Sequence, residues 1–251
     1  MDKYYIKPEA WSKIYEILKG MRQIRVKNEA KTRRFFEGIY YIMRTGAQWR
    51  ELPAYYGKWR SVHKRYEAWC RKDFLNFILQ YLAPDKDGES HMLDTSIVRA
   101  HPCAAGYKKG SQEEQALGRS KGGFTTKIHV VVDALGQALR FSLTAGHRHD
   151  ITQAFYLIKG FKNSNIIADK AYDSDAFIEQ IEQQNCTPVI PPRTSRKEPR
   201  GYDGHLYKER HLIECFFNKI KHFRRVFSRF DKKASSFMGF LAFASTILWL
   251  R

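Results

Sequence analysis

Apolar positions along this chain follow two different rhythms, and the change between them predicts two domains. Up to about residue 83 they recur every three or four residues, the helical period. "KTRRFFEGIYYIMRT" forms a helix that Gly46 closes, "AQWRELPAYYG" supplies a short second helix and a turn, and "KWRSVHKRYEAWCRKDFLNFIL" is a third helical pattern. In that third pattern Trp59, Val62, Tyr66 and Trp69 share an inward face, which leaves Arg60, His63, Lys64, Glu67 and Arg71 outward or at its boundary. Past the polar, turn-rich "PDKDGES" the spacing becomes strand-like. "HMLDTSIVRAH" is one strand, and the Gly- and charge-rich "AAGYKKGSQEEQALGRSKGG" has no core pattern. "TKIHVVVDALGQALRFSLTAG" gives two strands around a turn, "DITQAFYLIKGF" a helix, and "SNIIADKAYDS" a strand running into the helix "DAFIEQIEQQN". After the strand "TPVIPP" and the basic loop "RTSRKEPRGY" come an amphipathic helix and a last apolar one. The order βββαβαβαα predicts a mixed α/β sheet flanked by helices over residues 86–251, preceded by a small all-α, helix-turn-helix-like domain over residues 1–85.

Charge narrows the class of partner. Lys and Arg number 44 against 26 Asp and Glu, a net +18, which favours a polyanion through counterion release. Residues 1–85 hold 18 of the bases and nine of the acids, so half of the excess lies in a third of the chain. The third helix then resembles a recognition helix, with Arg60, His63, Lys64 and Arg71 placed to meet phosphates or guanine edges of double-stranded DNA; a solvated basic face is the plain alternative. A membrane surface is the weaker candidate, since "FMGFLAFASTILWL" is too short to span a bilayer and suits a core helix. The N-terminus lacks a signal-like apolar run, and Cys70, Cys103, Cys186 and Cys215 form no CxxC pair, so a reducing cytoplasm is expected. His101, His147 and His149 are poorly spaced for zinc and suit loops.

The amphipathic helix carries the densest chemistry. On a wheel of about 100° per residue Leu206, Leu212, Ile213, Phe216, Phe217, Ile220 and Phe223 gather on one side. Tyr207, Arg210, Glu214 and Lys221 fall in a sector of roughly 60° along its edge. An ion pair from Arg210 to Glu214 accounts for two of these four. Two further acids sit where strands deliver side chains to an edge, Asp94 in "MLDTS" and Asp169 in "NIIADKAY", and each is costly among apolar neighbours unless paired or bound to a cation. If the two strands are adjacent, Asp94 and Asp169 approach each other and Glu214 completes three oxygen donors for Mg²⁺, with Mn²⁺ as a substitute. Such a set serves phosphoryl transfer. Asp133 in the turn "DALG", Asp150 before a helix, and Asp173 and Asp175 as helix N-caps are expected to be structural.

These residues resemble a known family. Tyr207, Arg210, Glu214 and Lys221 match, without gap or substitution, the signature of Y, two residues, R, three residues, E, six residues, K that marks bacterial insertion-sequence transposases of the IS5 family, within the IS4-like group of DDE transposases. "LDTSIVRAH", "IADKAYDSDAF" and "WRELPAYYGKWRSVHKRYEAW" are similar to other segments of that family. The resemblance implies an RNase H-like fold in which Asp94, Asp169 and Glu214 are the catalytic, metal-holding triad, while Tyr207, Arg210 and Lys221 hold DNA phosphates. It implies binding of transposon ends and target DNA, strand cleavage and transfer, and at least a homodimer in the synaptic complex. A plain RNase H-like DNA nuclease and a domesticated DNA-binding regulator are the alternatives.

Overall fold

The computed structural model describes residues 4–24, 26–83, 88–106, 111–112, 114–120 and 122–251. The expected linker Pro84–Ser90 and the loop 104–123 lie partly outside them. Packing gives two compact units, one of Met1–Leu82, His101–Lys108 and Ile220–Arg251, the other of Ala83–Ala100 and Lys109–Lys219.

The first unit is helical. α1 (Pro8–Gly20), which the sequence pattern had not singled out, starts on Pro8, whose fixed φ suits a helix entry. α2 (Glu29–Thr45) is capped by Asn28, whose Oδ1 accepts from the Lys31 amide at 2.8 Å, and it ends at Gly46 in the left-handed region at φ 74°. Where a short second helix was expected there are two 3-10 turns, Trp49–Glu51 and Ala54–Tyr56; Pro53 lies between them and carries no amide to continue either. The third pattern is two helices, α3 (Trp59–Arg71) and α4 (Phe74–Leu82), broken where Asp73 takes φ 56°. Val62, Tyr66 and Trp69 are buried as predicted, whereas Trp59 is only half-buried.

The second unit is a mixed sheet. β1 (Ser90–Ala100) runs antiparallel to β3 (Gly123–Val132), which pairs in turn with the short β2 (Gly118–Ser120) and with β4 (Ala138–Ala145). On its other side β1 runs parallel to β5 (Asn165–Ile167), and β5 parallel to β6 (Thr187–Val189). Asp133 shapes the β3–β4 turn as expected, accepting from the Leu135 and Gln137 amides at 3.0 and 2.8 Å. The crossovers carry α5 (Ala154–Leu157), shorter than predicted because a 3-10 turn occupies Asp150–Gln153, and α6 (Asp175–Gln183). α7 (His211–Lys221) lays Phe216 against Phe141 of β4, ring centroids 6.1 Å apart. This is the RNase H-like α/β architecture, with antiparallel strands on one side of β1 and parallel strands on the other.

After α7 the chain returns to the first unit through α8 (Arg224–Phe227) and α9 (Ala234–Trp249). α9 is apolar nearly all round and is the core helix of that unit, packed against α3 and α4. Phe243 meets Phe36 at 5.6 Å, and the Tyr66 hydroxyl donates to the Ser236 carbonyl at 2.6 Å. Among the described residues no helix is long and apolar enough to cross a membrane.

Candidate active site

Register explains how two distant acids reach one place. Met92 pairs with Ile167, so Asp94, two residues further along β1, lies level with Asp169, two residues past the end of β5. The adjacency assumed from the sequence is therefore present. Asp94 pairs with Val130 and shares its sheet face. Its Oδ1 accepts from the Thr95 amide at 2.7 Å. Asp169 caps a 3-10 turn, Lys170–Tyr172, accepting from the Ala171 amide through Oδ1 at 2.8 Å.

The segment carrying the Y-R-E-K spacing is not one continuous α-helix. Leu206–Arg210 is a 3-10 turn, set by Asp203, whose Oδ1 accepts from the His205 and Leu206 amides at 2.7 and 3.0 Å; α7 proper begins at His211. Positions i and i+3 eclipse in a 3-10 turn, so Tyr207 and Arg210 still share an edge. Glu214 follows on α7, and Lys221 is its last residue.

Arg210 ties the acids together. One guanidinium nitrogen donates to Asp94 Oδ2 at 2.7 Å, and another makes a close ion pair with Glu214 Oε1. The pair with Glu214 was legible from spacing, but the bond to Asp94 spans 116 residues and was not. Burial pushes the Asp94 carboxyl up from its ordinary value; the Thr95 amide and Arg210 pull it back, and the charge on Asp169 adds to the rise. For Arg210 burial works downward, yet Asp94 and Glu214 outweigh it and the guanidinium is held more firmly protonated. Burial also raises the Tyr207 phenol, which stays a donor at neutral pH.

Three hard oxygen donors suit a divalent cation of the Mg²⁺ type. Yet among the described residues no three His, Cys, Asp or Glu side chains are drawn close enough to hold a metal ion. The expected carboxylate cluster is not closed, because the Arg210 guanidinium stands between Asp94 and Glu214. Asp94, Asp169 and Glu214 are all carboxylates, the hard donor type that a Mg²⁺-like ion takes.

Other expected residues fall elsewhere. Asp173 and Asp175 do not cap α6 through their side chains; the N-cap is Ser174, and Asp175 already lies in the first turn. Asp173 is buried and takes Arg196 through both oxygens at 2.8 and 2.9 Å, along with the Arg193 amide at 2.8 Å and Arg200 at 3.3 Å. The basic loop is thus pinned by its arginines. Asp150 pairs with Lys127 at 2.6 Å. On α3, Arg60, Lys64 and Arg71 are exposed, whereas His63 is half-buried against Trp49 at 4.8 Å, and burial lowers its pKa. Sequence reasoning gave Tyr172 no role. It is 1% exposed, its hydroxyl has no hydrogen-bond partner among the described residues, and only the "DKAY" spacing behind Asp169 marks it.

The chain is similar to known proteins. A family model for transposases of the IS4/5 family matches residues 6–79, and one for the transposase DDE domain matches residues 92–247. The protein assigned as transposase of insertion sequence element IS6501 in Brucella ovis is 46% identical over 131 residues, which cover 51% of this chain and 99% of that protein. Its counterpart for IS402 in Burkholderia cepacia is 29% identical over 128 residues, 46% of this chain and 58% of the relative. Solved structures overlap loosely. The piggyBac transposase synaptic complex with hairpin DNA gives a TM-score of 0.40 at 13% identity, over 77% of this chain and 50% of that one. The Mos1 transposase paired-end complex gives 0.29 at 12%, over 77% and 75%. With the DDE domain matched over more than half of its length, the chain belongs to the IS4/5 family of DDE transposases.

Proposed function

We propose that this transposase binds the terminal inverted repeats of its insertion sequence, cuts at the element boundary to free a 3′-hydroxyl, and joins that hydroxyl to target DNA. The observation that carries the reading is the meeting of Asp94, Arg210 and Glu214 from two distant stretches of chain, with Asp169 level with Asp94. Asp94, Asp169 and Glu214 would hold Mg²⁺, for which Mn²⁺ substitutes. When bound, the ions supply the charge that activates the attacking oxygen and stabilises the leaving one.

The remaining chemistry belongs to the chain. Arg210, released from the two carboxylates, clamps a phosphate oxygen with paired donors, and the protonated Tyr207 hydroxyl donates beside it. Lys221, two helical turns beyond Glu214, adds a point charge for the backbone. Both steps are in-line displacements at phosphorus, so one set of positioned groups serves cleavage and transfer without a covalent enzyme intermediate. The helix-turn-helix-like end-recognition region lies in the helical unit, with Arg60, His63, Lys64 and Arg71 of α3 toward DNA, and the catalytic chemistry lies in the mixed-sheet unit; the expected division at residue 85 shifts in that Ile220–Arg251 pack with the helical unit. Pairing two ends requires at least a homodimer in the active complex, which works on cytoplasmic, nucleoid DNA.

The test is an end-nicking assay with Mg²⁺ on DNA carrying the element's flanks, comparing wild type with Glu214→Gln. A 3′-hydroxyl at the boundary, lost in the variant while DNA binding survives, is the expected result. End binding without nicking favours a DNA-binding regulator, and nicking without regard to the ends favours a plain nuclease.

A further inference from the structure

The sheet has a second charged recess on the face away from Asp94. Along β3 the side chains alternate, and Val130 shares the face of Asp94, so Lys127, three residues earlier, points to the opposite side. There it joins His147, Arg148 and His149, from the turn after β4, and Arg193, from the loop after β6, around a cavity of about 500 Å³. The floor is fixed by hydrogen bonds. Lys127 Nζ donates to the Arg148 carbonyl at 2.7 Å and to Asp150 at 2.6 Å, and Arg193 donates from Nη2 to the Ala171 carbonyl at 2.8 Å and from Nε to the Lys170 carbonyl at 3.2 Å. With one carboxylate against two cations held by hydrogen bonds, Lys127 and Arg193, the exposed Arg148 and two imidazoles, the recess suits a monoanion with several acceptor oxygens.

Its position gives it a role. Ala171 lines the recess, and the amide of the same residue caps Asp169, so a single 3-10 turn separates this recess from the candidate active site. Tyr172, buried in the same turn, has its phenol raised first by burial and then by the charges of Asp150, Asp94 and Asp169. We propose that the recess is a second DNA-backbone site, holding a phosphodiester of the strand that runs past the triad, apart from the Tyr207, Arg210 and Lys221 stripe. The proposal rests on the reading of the chain as a DNA-processing transposase, and either the transposon end or the target duplex can supply the phosphodiester.

The experiment measures binding and needs no cleavage. Full-length wild type, Arg148→Gln and Arg148→Lys are titrated by fluorescence anisotropy against two labelled duplexes, one carrying the element end and one unrelated, from about 50 to about 200 mM salt. Loss of one phosphate contact flattens the slope of log K against log salt by about 0.9 in Arg148→Gln, while Arg148→Lys keeps the wild-type slope. Flattening on the end duplex alone assigns the phosphodiester to the transposon end, and flattening on both assigns it to duplex in general, as target binding requires. An Arg148→Gln slope equal to wild type on both duplexes overturns the proposal, as does an Arg148→Lys slope as flat as that of Arg148→Gln. A wild type that never nicks ends sinks the transposition chemistry and leaves this slope test standing.

Discussion

Replacing Arg210 with Gln should change metal binding and DNA processing in opposite directions. In the protein alone the guanidinium pairs with both Asp94 and Glu214, the carboxylates proposed to hold the dication, and offsets one of their two charges. Metal binding must therefore displace it. The bond to Asp94 joins side chains only 22% and 19% exposed, and a charge-assisted hydrogen bond of that kind contributes about 1.5–3 kcal/mol. The arm to Glu214, whose side chain is 53% exposed, contributes about 0–1 kcal/mol because solvent screens it. Removing the competitor should thus tighten metal binding by about tenfold or more, at 1.4 kcal/mol per tenfold. The same substitution deletes the proposed phosphate clamp, so end nicking should fall.

Titration calorimetry with Mg²⁺, or Mn²⁺ followed by its paramagnetic resonance, gives the first quantity on protein free of DNA. End nicking at saturating metal gives the second. Metal affinity unchanged or weakened in Arg210→Gln would refute the reasoning, because the guanidinium would then not compete for those carboxylates, and the donor set would have to be drawn differently.

Further substitutions test other parts of the account. Burial raises Asp94 above its ordinary 3.8, so its ionised form costs stability that is absent well below that value and full once pH has risen through the folded pKa. Asp94→Asn should therefore raise Tm at neutral pH by about 2–4 °C, with the advantage vanishing toward acid in a thermal melt across pH. Asp173 has the opposite sign: burial opposes its charge, but Arg196, the Arg193 amide and Arg200 hold it below 3.8, so its contribution is present above that value and lost as pH falls through the lowered one. Asp173→Asn should lower Tm by about 3–6 °C at neutral pH and have little effect in strong acid. At Gly239 an added Cβ would lie 2.4 Å from Cys70 Sγ, so Gly239→Ala should cost about 1–3 kcal/mol in denaturant unfolding, and Cys70→Ala in the same chain should recover part of it; additive losses would rule out the clash.

What the sequence revealed and what it hid separate by range. Helical periodicity exposed the inward residues of α3, and Gly46 marked the end of α2, because both signals act within a few residues. The Y-R-E-K spacing is equally local, although the segment turns out to be a 3-10 turn followed by an α-helix. Asp203 ties down the amides ahead of Tyr207, and periodicity alone does not register a side-chain cap. The break at Asp73 was missed because the apolar spacing continues across it while the backbone does not. Asp173 was misjudged for a different reason. As a residue just before a helix it looks like a cap, and only the fold brings the Arg196–Arg200 stretch round to bury it.

Arg210 is where local and long-range information meet, and this bears on how the site works. Two carboxylates brought level by the sheet, Asp94 and Asp169, repel, and burial makes Asp94 more costly still. A fold that keeps them needs a positive charge close by. Sequence spacing offers Arg210 to Glu214, one turn away, whereas the strand register offers it to Asp94 as well, so the guanidinium stabilises the acids in the protein alone. That residue also lies on the stripe proposed to grip the scissile phosphate. DNA and metal arriving together let the guanidinium exchange one set of anionic oxygens for another, so its ion pairs are replaced while the carboxylates become available. Metal alone must break those pairs without replacing them. Cooperative binding of metal and end DNA is therefore expected in the wild type, and it should weaken in Arg210→Gln, since reciprocity requires each ligand to raise the affinity for the other by the same factor.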